Sequence, residues 1–210
     1  AAAAAANPPA VAALVGLAFS TAQDRSCYVP ILGPADAVLL PLADVLAVLG
    51  PALRDARALV GHDCKRGLVV LAEAGLTLPG VAGDTMIADY LLQPQRRSHA
   101  LDGIALTTLQ HKMMPVGDAL AEHGGELAAA PLPVATRYAS ENAQIIRLCH
   151  AKLLVALDAA GLRELYDDVE VPLISVLAQM ERAGIRVDLP LLAELSVDLG
   201  VRVEQAHALC

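Results

Sequence analysis

Little in this sequence could stack against a nucleobase. Tryptophan is absent, and Phe19, Tyr28, Tyr90, Tyr138 and Tyr166 are the whole aromatic set. Single-strand-binding surfaces combine aromatic rings with a positively charged groove, so a stacking platform is excluded. Positive charge is also short: 15 Lys and Arg face 23 Asp and Glu, a net charge of −8. Phosphate affinity comes from Lys and Arg, which argues against non-specific nucleic-acid binding by this stretch alone. Cys27, Cys64, Cys149 and Cys210 are the only cysteines, with no C-x-x-C pair among them. No His stands at zinc-ligand spacing from a cysteine. Buried free thiols in a reducing compartment are therefore expected. No uncharged run reaches the roughly 18 apolar residues of a membrane span, and no basic-then-apolar leader opens the chain. A soluble, cytoplasmic protein with no membrane contact is the expectation.

What the sequence does have is apolar content, 56% of 210 residues and mostly Ala, Leu and Val. That is enough for one ordinary domain with a well-filled core and some chain left over. Residues 1–10 begin with an alanine run and Asn7-Pro8-Pro9, and they read as a leader outside the fold, flexible or not native. Val11 to Phe19 and Cys27 to Leu32 are β-rich runs around a polar turn and predict a hairpin. Leu42 to Leu53 has helical periodicity. Ala58 to Gly61 predicts a short strand, and Leu68 to Ala74 a helix stopped by Gly75. Val81-Ala82 is a brief strand leading into Asp84-Thr85, which can cap a helix from Met86 to Leu92. A short helix follows over Ala100 to Leu109. The stretch from Val116 to Pro133 reads as a connection. Long helices are expected from Thr136 to Gly161, from Leu165 to Ala183 and from Leu191 to Leu209, with Ile185 to Asp188 extended. Strands alternating with helices, then helices alone, predict an α/β domain followed by a helical appendage.

Five segments carry a resemblance. Val60-Gly61-His62-Asp63-Cys64-Lys65 runs on to Gly75-Leu76. Gly83-Asp84-Thr85-Met86-Ile87-Ala88-Asp89-Tyr90 follows, then Ser98-His99-Ala100-Leu101-Asp102-Gly103-Ile104-Ala105. Arg137-Tyr138-Ala139-Ser140-Glu141-Asn142-Ala143 is the fourth, and Glu170-Val171-Pro172-Leu173 through Met180-Glu181-Arg182-Ala183-Gly184-Ile185-Arg186-Val187-Asp188 the fifth. In this order and spacing they resemble the DNA polymerase I family (family A DNA polymerases). The resemblance covers about residues 11 to 210. It implies a 3′–5′ exonuclease-like domain of RNase H-like fold over residues 11–162, a mixed central sheet flanked by helices. Residues 163–210 would then be the first, truncated helices of the polymerase thumb region. DNA, reached through the complete polymerase, and the rest of the polymerase domain are the implied partners.

Exonucleases of this family use two Mg²⁺ ions roughly 3.5–4 Å apart to activate water and stabilise the leaving oxygen. Hard divalent ions take oxygen ligands, chiefly carboxylates. The resemblance implies an Asp-x-Glu pair on the first strand, an Asp in the second motif, and an Asp four residues after a Tyr in the third. Here the second-motif place falls on Gly67 and the third on Asn142, while the stretch ahead of the first β-run is alanine-rich and without acids. Tyr138, which in the family positions the attacking water, is retained. Asp63 stands four positions before Gly67, where the family usually has Asn. The expectation is therefore a degenerate exonuclease site at Asp63, Gly67, Tyr138 and Asn142. No residue is expected to hold metal and this stretch is expected to bind no cofactor, Mg²⁺ belonging to the parent polymerase. The alternative is an active exonuclease whose first-motif carboxylates lie outside this sequence. Asp63 and Glu141 as displaced ligands are a lesser possibility, because successive helical residues point about 100° apart. Arg96, Arg97 and His99 form a small basic cluster that could touch a phosphate. Asp84 and Asp102 are expected as helix caps, His111-Lys112 as a helix C-terminal pair, and Tyr166-Asp167-Asp168 with Glu170 as solvated surface or a contact with the rest of the polymerase. None of the polymerase nucleotidyl-transfer motifs occurs.

Overall fold

The computed structural model describes residues 13–21, 25–56, 58–115, 117 and 126–208. Two compact units divide the chain between Gln179 and Met180.

The first unit opens with the expected hairpin: β1 (Gly16–Ser20) pairs antiparallel with β2 (Ser26–Pro30), Ala18 opposite Tyr28. The part of the first run at Val11 and Ala12 lies outside the described residues. Helix α1 (Leu42–Asp55) holds its length despite Pro51. Then β3 (Val60–Gly61), α2 (Cys64–Glu73), β4 (Gly83–Asp84) and α3 (Thr85–Leu92) follow. β3 and β4 run parallel, Gly61 opposite Asp84. Among the described residues the strands form two separate two-stranded sheets, one antiparallel and one parallel, where a single mixed central sheet was expected. The second short strand lies two residues later than Val81-Ala82.

Helix α4 (Leu101–Leu109) leads to a stretch mostly outside the described residues, then to a 3₁₀ turn at Leu127–Ala129. Helix α5 (Leu132–Ala160) starts four residues before Thr136, with Pro131 as its N-cap residue, and closes at Gly161, whose φ of 68° glycine tolerates. This helix is the spine of the unit: α3, α4, β1, β2 and β3 all contact it. Its buried stripe of Ile145, Cys149, Leu153 and Leu157 has helical spacing and forms a core with Ala88, Ile104, Ala105, Met113, Tyr166 and Val171.

The helix expected from Leu165 to Ala183 is three pieces: a turn at Arg163–Leu165, a π-helical stretch at Tyr166–Glu170, and α6 (Val171–Ala183). Ile174 and Ala178 of α6 pack with Cys64 and Leu68 of α2 in a second core cluster. The packed unit therefore runs past residue 162. Leu173, Val176 and Leu177, on the other side of α6, are exposed. In the second unit, Gly184 closes α6, residues 185–188 form no regular element, and α7 spans Leu189–His207 with Asp188 as its N-cap. Among the described residues no helix is long and apolar enough to cross a membrane.

Candidate functional site

Tyr138 and Asn142 are one helical turn apart on α5, so they share a face. That face turns toward β1. Together with Leu14, Gly16, Ala18, Tyr28, Val70 and Ile146 they line an open cavity of about 350 Å³. Its polar groups are the phenols of Tyr28 and Tyr138 and the Asn142 amide. The Tyr28 hydroxyl lies 3.4 Å from the Val15 carbonyl, and burial pushes its ionisation above the ordinary tyrosine value. Among the described residues no carboxylate lines this cavity.

Gly67 lies on α2 one turn before Val70, is exposed, and faces open space: a Cβ there would meet nothing within 4 Å. The fold thus leaves room at residue 67 for a carboxylate that the sequence does not supply. Asp63 is half-buried at the N-terminus of α2 in the left-handed region, φ 51°, with no side-chain cap bond. Glu141 is not turned toward the cavity. Its carboxylate faces His111 Nε2 at 2.9 Å and accepts from the Met114 backbone N–H at 3.0 Å. It anchors the segment after α4, so it is committed to that segment, and His111 finds a side-chain partner rather than a helix end. Among the described residues no group of three His, Cys, Asp or Glu side chains is placed to hold a metal ion. The described donor set around Tyr138 and Asn142 is neutral, whereas a pair of hard divalent cations needs several negative oxygens to offset their lost hydration.

The basic trio separates. Asp89, 3% exposed on α3, receives Arg96 Nη1 at 3.0 Å on both carboxylate oxygens and the Nδ1–H of His99 at 2.7 Å. Arg96 also donates to Thr107 at 3.3 Å. Arg96 and His99 are therefore both engaged by an internal acid, and of the trio only Arg97 is exposed. Asp89 as their acceptor went unrecognised in the sequence, although Asp89 and Arg96 flank a helix end at Pro94.

The other polar centre is Asp84, 1% exposed. As expected it caps α3, with Oδ1 accepting from Met86 N at 2.7 Å. It also does what the sequence did not show: Oδ2 accepts the first N–H of α2, from Cys64, at 2.6 Å. Two helix N-termini thus converge on one carboxylate, each contributing positive dipole charge. Tyr166 is fully buried, a correction to its reading as solvated surface. Its hydroxyl accepts from Asp84 N at 2.7 Å and donates to Asp84 O at 3.1 Å. That one proton being spent, the 3.2 Å contact with His150 requires the His150 Nε2–H to donate. Burial raises the pKa of Tyr166 and, helped by Asp84, of Cys64. Burial also pushes the Cys149 thiol up to about 11, so both core thiols stay protonated and inert. Cys27 departs from expectation by being exposed.

Burial lowers the proton affinity of His62 and of His150, the latter also through Arg163. His62 Nδ1 is 2.9 Å from the Thr85 hydroxyl. Both rings are held neutral in the folded state, so the unfolded chain binds their protons more tightly. Their contribution is complete above the ordinary histidine value of 6.5 and is lost as pH falls from there through the lowered values. Urea midpoints are expected to drop between about pH 7 and pH 5, with His150→Gln flattening part of the slope.

A hairpin, a parallel β–α–β corner and a long spine helix beside a cavity carrying Tyr and Asn one turn apart define an α/β domain followed by helices. Residues 11–158 match the 3′–5′ exonuclease family of the DNA polymerase A type, and the chain belongs to that family. It is 34% identical over 200 residues to DNA polymerase I of Pseudomonas aeruginosa, covering 91% of this chain and 22% of that protein. It is 32% identical over 201 residues to DNA polymerase I of Chloroflexus aurantiacus, covering 93% and 21%. The chain thus spans about a fifth of the length of these curated relatives. Among solved structures it resembles the POL domain of Pol1 from M. smegmatis in complex with DNA primer-template and dNTP, with a TM-score of 0.72 and 26% identity over 91% of this chain and 29% of that one. The apo form of a nuclease shares the fold, at a TM-score of 0.64 and 20% identity over 83% and 79% of the two chains.

Proposed function

We propose that this chain is the proofreading-type domain of a family A DNA polymerase in which the 3′–5′ exonuclease chemistry has been lost and a structural role remains. Residues 11–162 would form the exonuclease-like domain and 163–210 the first helices of the polymerase domain. The observation that carries this reading is the neutral, largely apolar cavity beside Tyr138 and Asn142, with Gly67 open and bare on the neighbouring helix. Phosphodiester hydrolysis by two metals needs an activated water and charge stabilisation of the leaving oxygen. Amide and phenol groups supply neither the metals nor a general base. The complete protein would bind DNA and use Mg²⁺ at its polymerase centre, act in replication and repair, and reside in the cytoplasm. Arg97 is the one residue of the basic cluster left exposed for a phosphate.

The test is incubation of the purified chain with 3′-labelled single-stranded DNA and Mg²⁺ or Mn²⁺. No metal-dependent shortening above a no-metal control is expected. Shortening that Tyr138→Phe or Asp63→Ala abolishes would establish the alternative, an active exonuclease.

A further inference from the structure

Asp84 ends a strand only two residues long, so a ladder of normal length is not there to take its backbone groups. A single phenol takes both: Tyr166 Oη accepts the Asp84 N–H at 2.7 Å and donates to the Asp84 carbonyl at 3.1 Å. These are the two groups that a residue on an antiparallel neighbour would satisfy. The same carboxyl residue holds the first N–H of α2 and the first turn of α3. Tyr166 itself sits at the start of the π-helical stretch. His150 donates to its oxygen from α5, and Gly83 gives it room, since a Cβ at residue 83 would lie 2.9 Å from the hydroxyl.

We infer that Tyr166 is a conformational fastener: its hydroxyl stands in for a missing strand neighbour of Asp84 and makes the β4–α2–α3 corner and the helical stretch of residues 163–178 open and close as one. The second core cluster supports the joint movement, because Ile174 and Ala178 pack on Cys64 and Leu68 at the same corner. With the phenol in place, exposing Asp84 requires the helix carrying Tyr166 to lift. Without it, the corner frays by itself. This inference stands apart from the loss of exonuclease chemistry and holds whether or not the cavity cleaves DNA.

Amide hydrogen exchange on the full chain, wild type against Tyr166→Phe, tests it. Wild type is expected to show equal protection for Asp84, Cys64 and the amides of residues 174–178. Tyr166→Phe should speed Asp84 exchange roughly tenfold or more and split it from the rest. Unchanged Asp84 protection in a folded Tyr166→Phe chain overturns the inference, and so do unequal protections in wild type. Should Tyr166→Phe not fold, His150→Ala removes only the third bond of the hydroxyl. A several-fold faster Asp84 exchange is then expected, and no change overturns the inference.

Discussion

Asp84→Ala should cost about 4 kcal/mol of folding stability, the largest loss expected from any polar substitution here. The carboxylate is buried and receives N–H groups at 2.6 Å from Cys64 and 2.7 Å from Met86. Each donor left unsatisfied costs about 1–3 kcal/mol. The charge also sits at the positive ends of α2 and α3, worth a further ~0.3–1 kcal/mol each. Asp84→Asn keeps one acceptor oxygen and the volume, so about half the loss is expected. Urea unfolding followed by far-ultraviolet circular dichroism reads both values. Against a total stability of about 5–15 kcal/mol, the alanine variant would unfold at mild denaturant.

Gly83→Ala comes second, at about 3 kcal/mol, although it adds only a methyl group. That carbon would lie 2.9 Å from the Tyr166 hydroxyl and closer still to His150 Nε2. The Tyr166 ring cannot retreat cheaply, since it is fully buried and its hydroxyl is shared with Asp84. The expected result is a lower thermal midpoint together with the loss of the Tyr166 bonds. Gly67→Ala is the control, because nothing lies within 4 Å and the residue is inside a helix. It should be neutral or stabilise by roughly 0.5–1 kcal/mol.

The elements that could be read from sequence are those whose cause is local. The stripe through Ile145, Cys149, Leu153 and Leu157 repeats at helical spacing, and Asp84 before Met86 is a cap within three residues. What escaped is what distant chain supplies. Helix α2 begins at Cys64 and not at Leu68, because its N-terminus is held by a carboxylate twenty positions further on. Tyr166 stands next to Asp167 and Asp168 and so reads as surface. Its ring is nevertheless buried, with the hydroxyl on the Asp84 backbone eighty-two positions away. Arg96 and His99 look like a phosphate-binding pair until the fold presents Asp89 to both. The candidate site was the most legible part, since the absence of an acid at Gly67 and Asn142 is a fact of sequence. The structure adds that Glu141 is occupied elsewhere and that the cavity wall is apolar.

We propose that the Tyr138–Asn142 cavity, neutral among the described residues, does not hold paired divalent ions. Manganese titration followed by electron paramagnetic resonance measures this without reference to DNA. The spectrum is expected to stay that of hexaaquo manganese, with no saturable site lost in Asn142→Ala. Two spin-coupled manganese ions bound per chain, and released in Asn142→Ala, would contradict it.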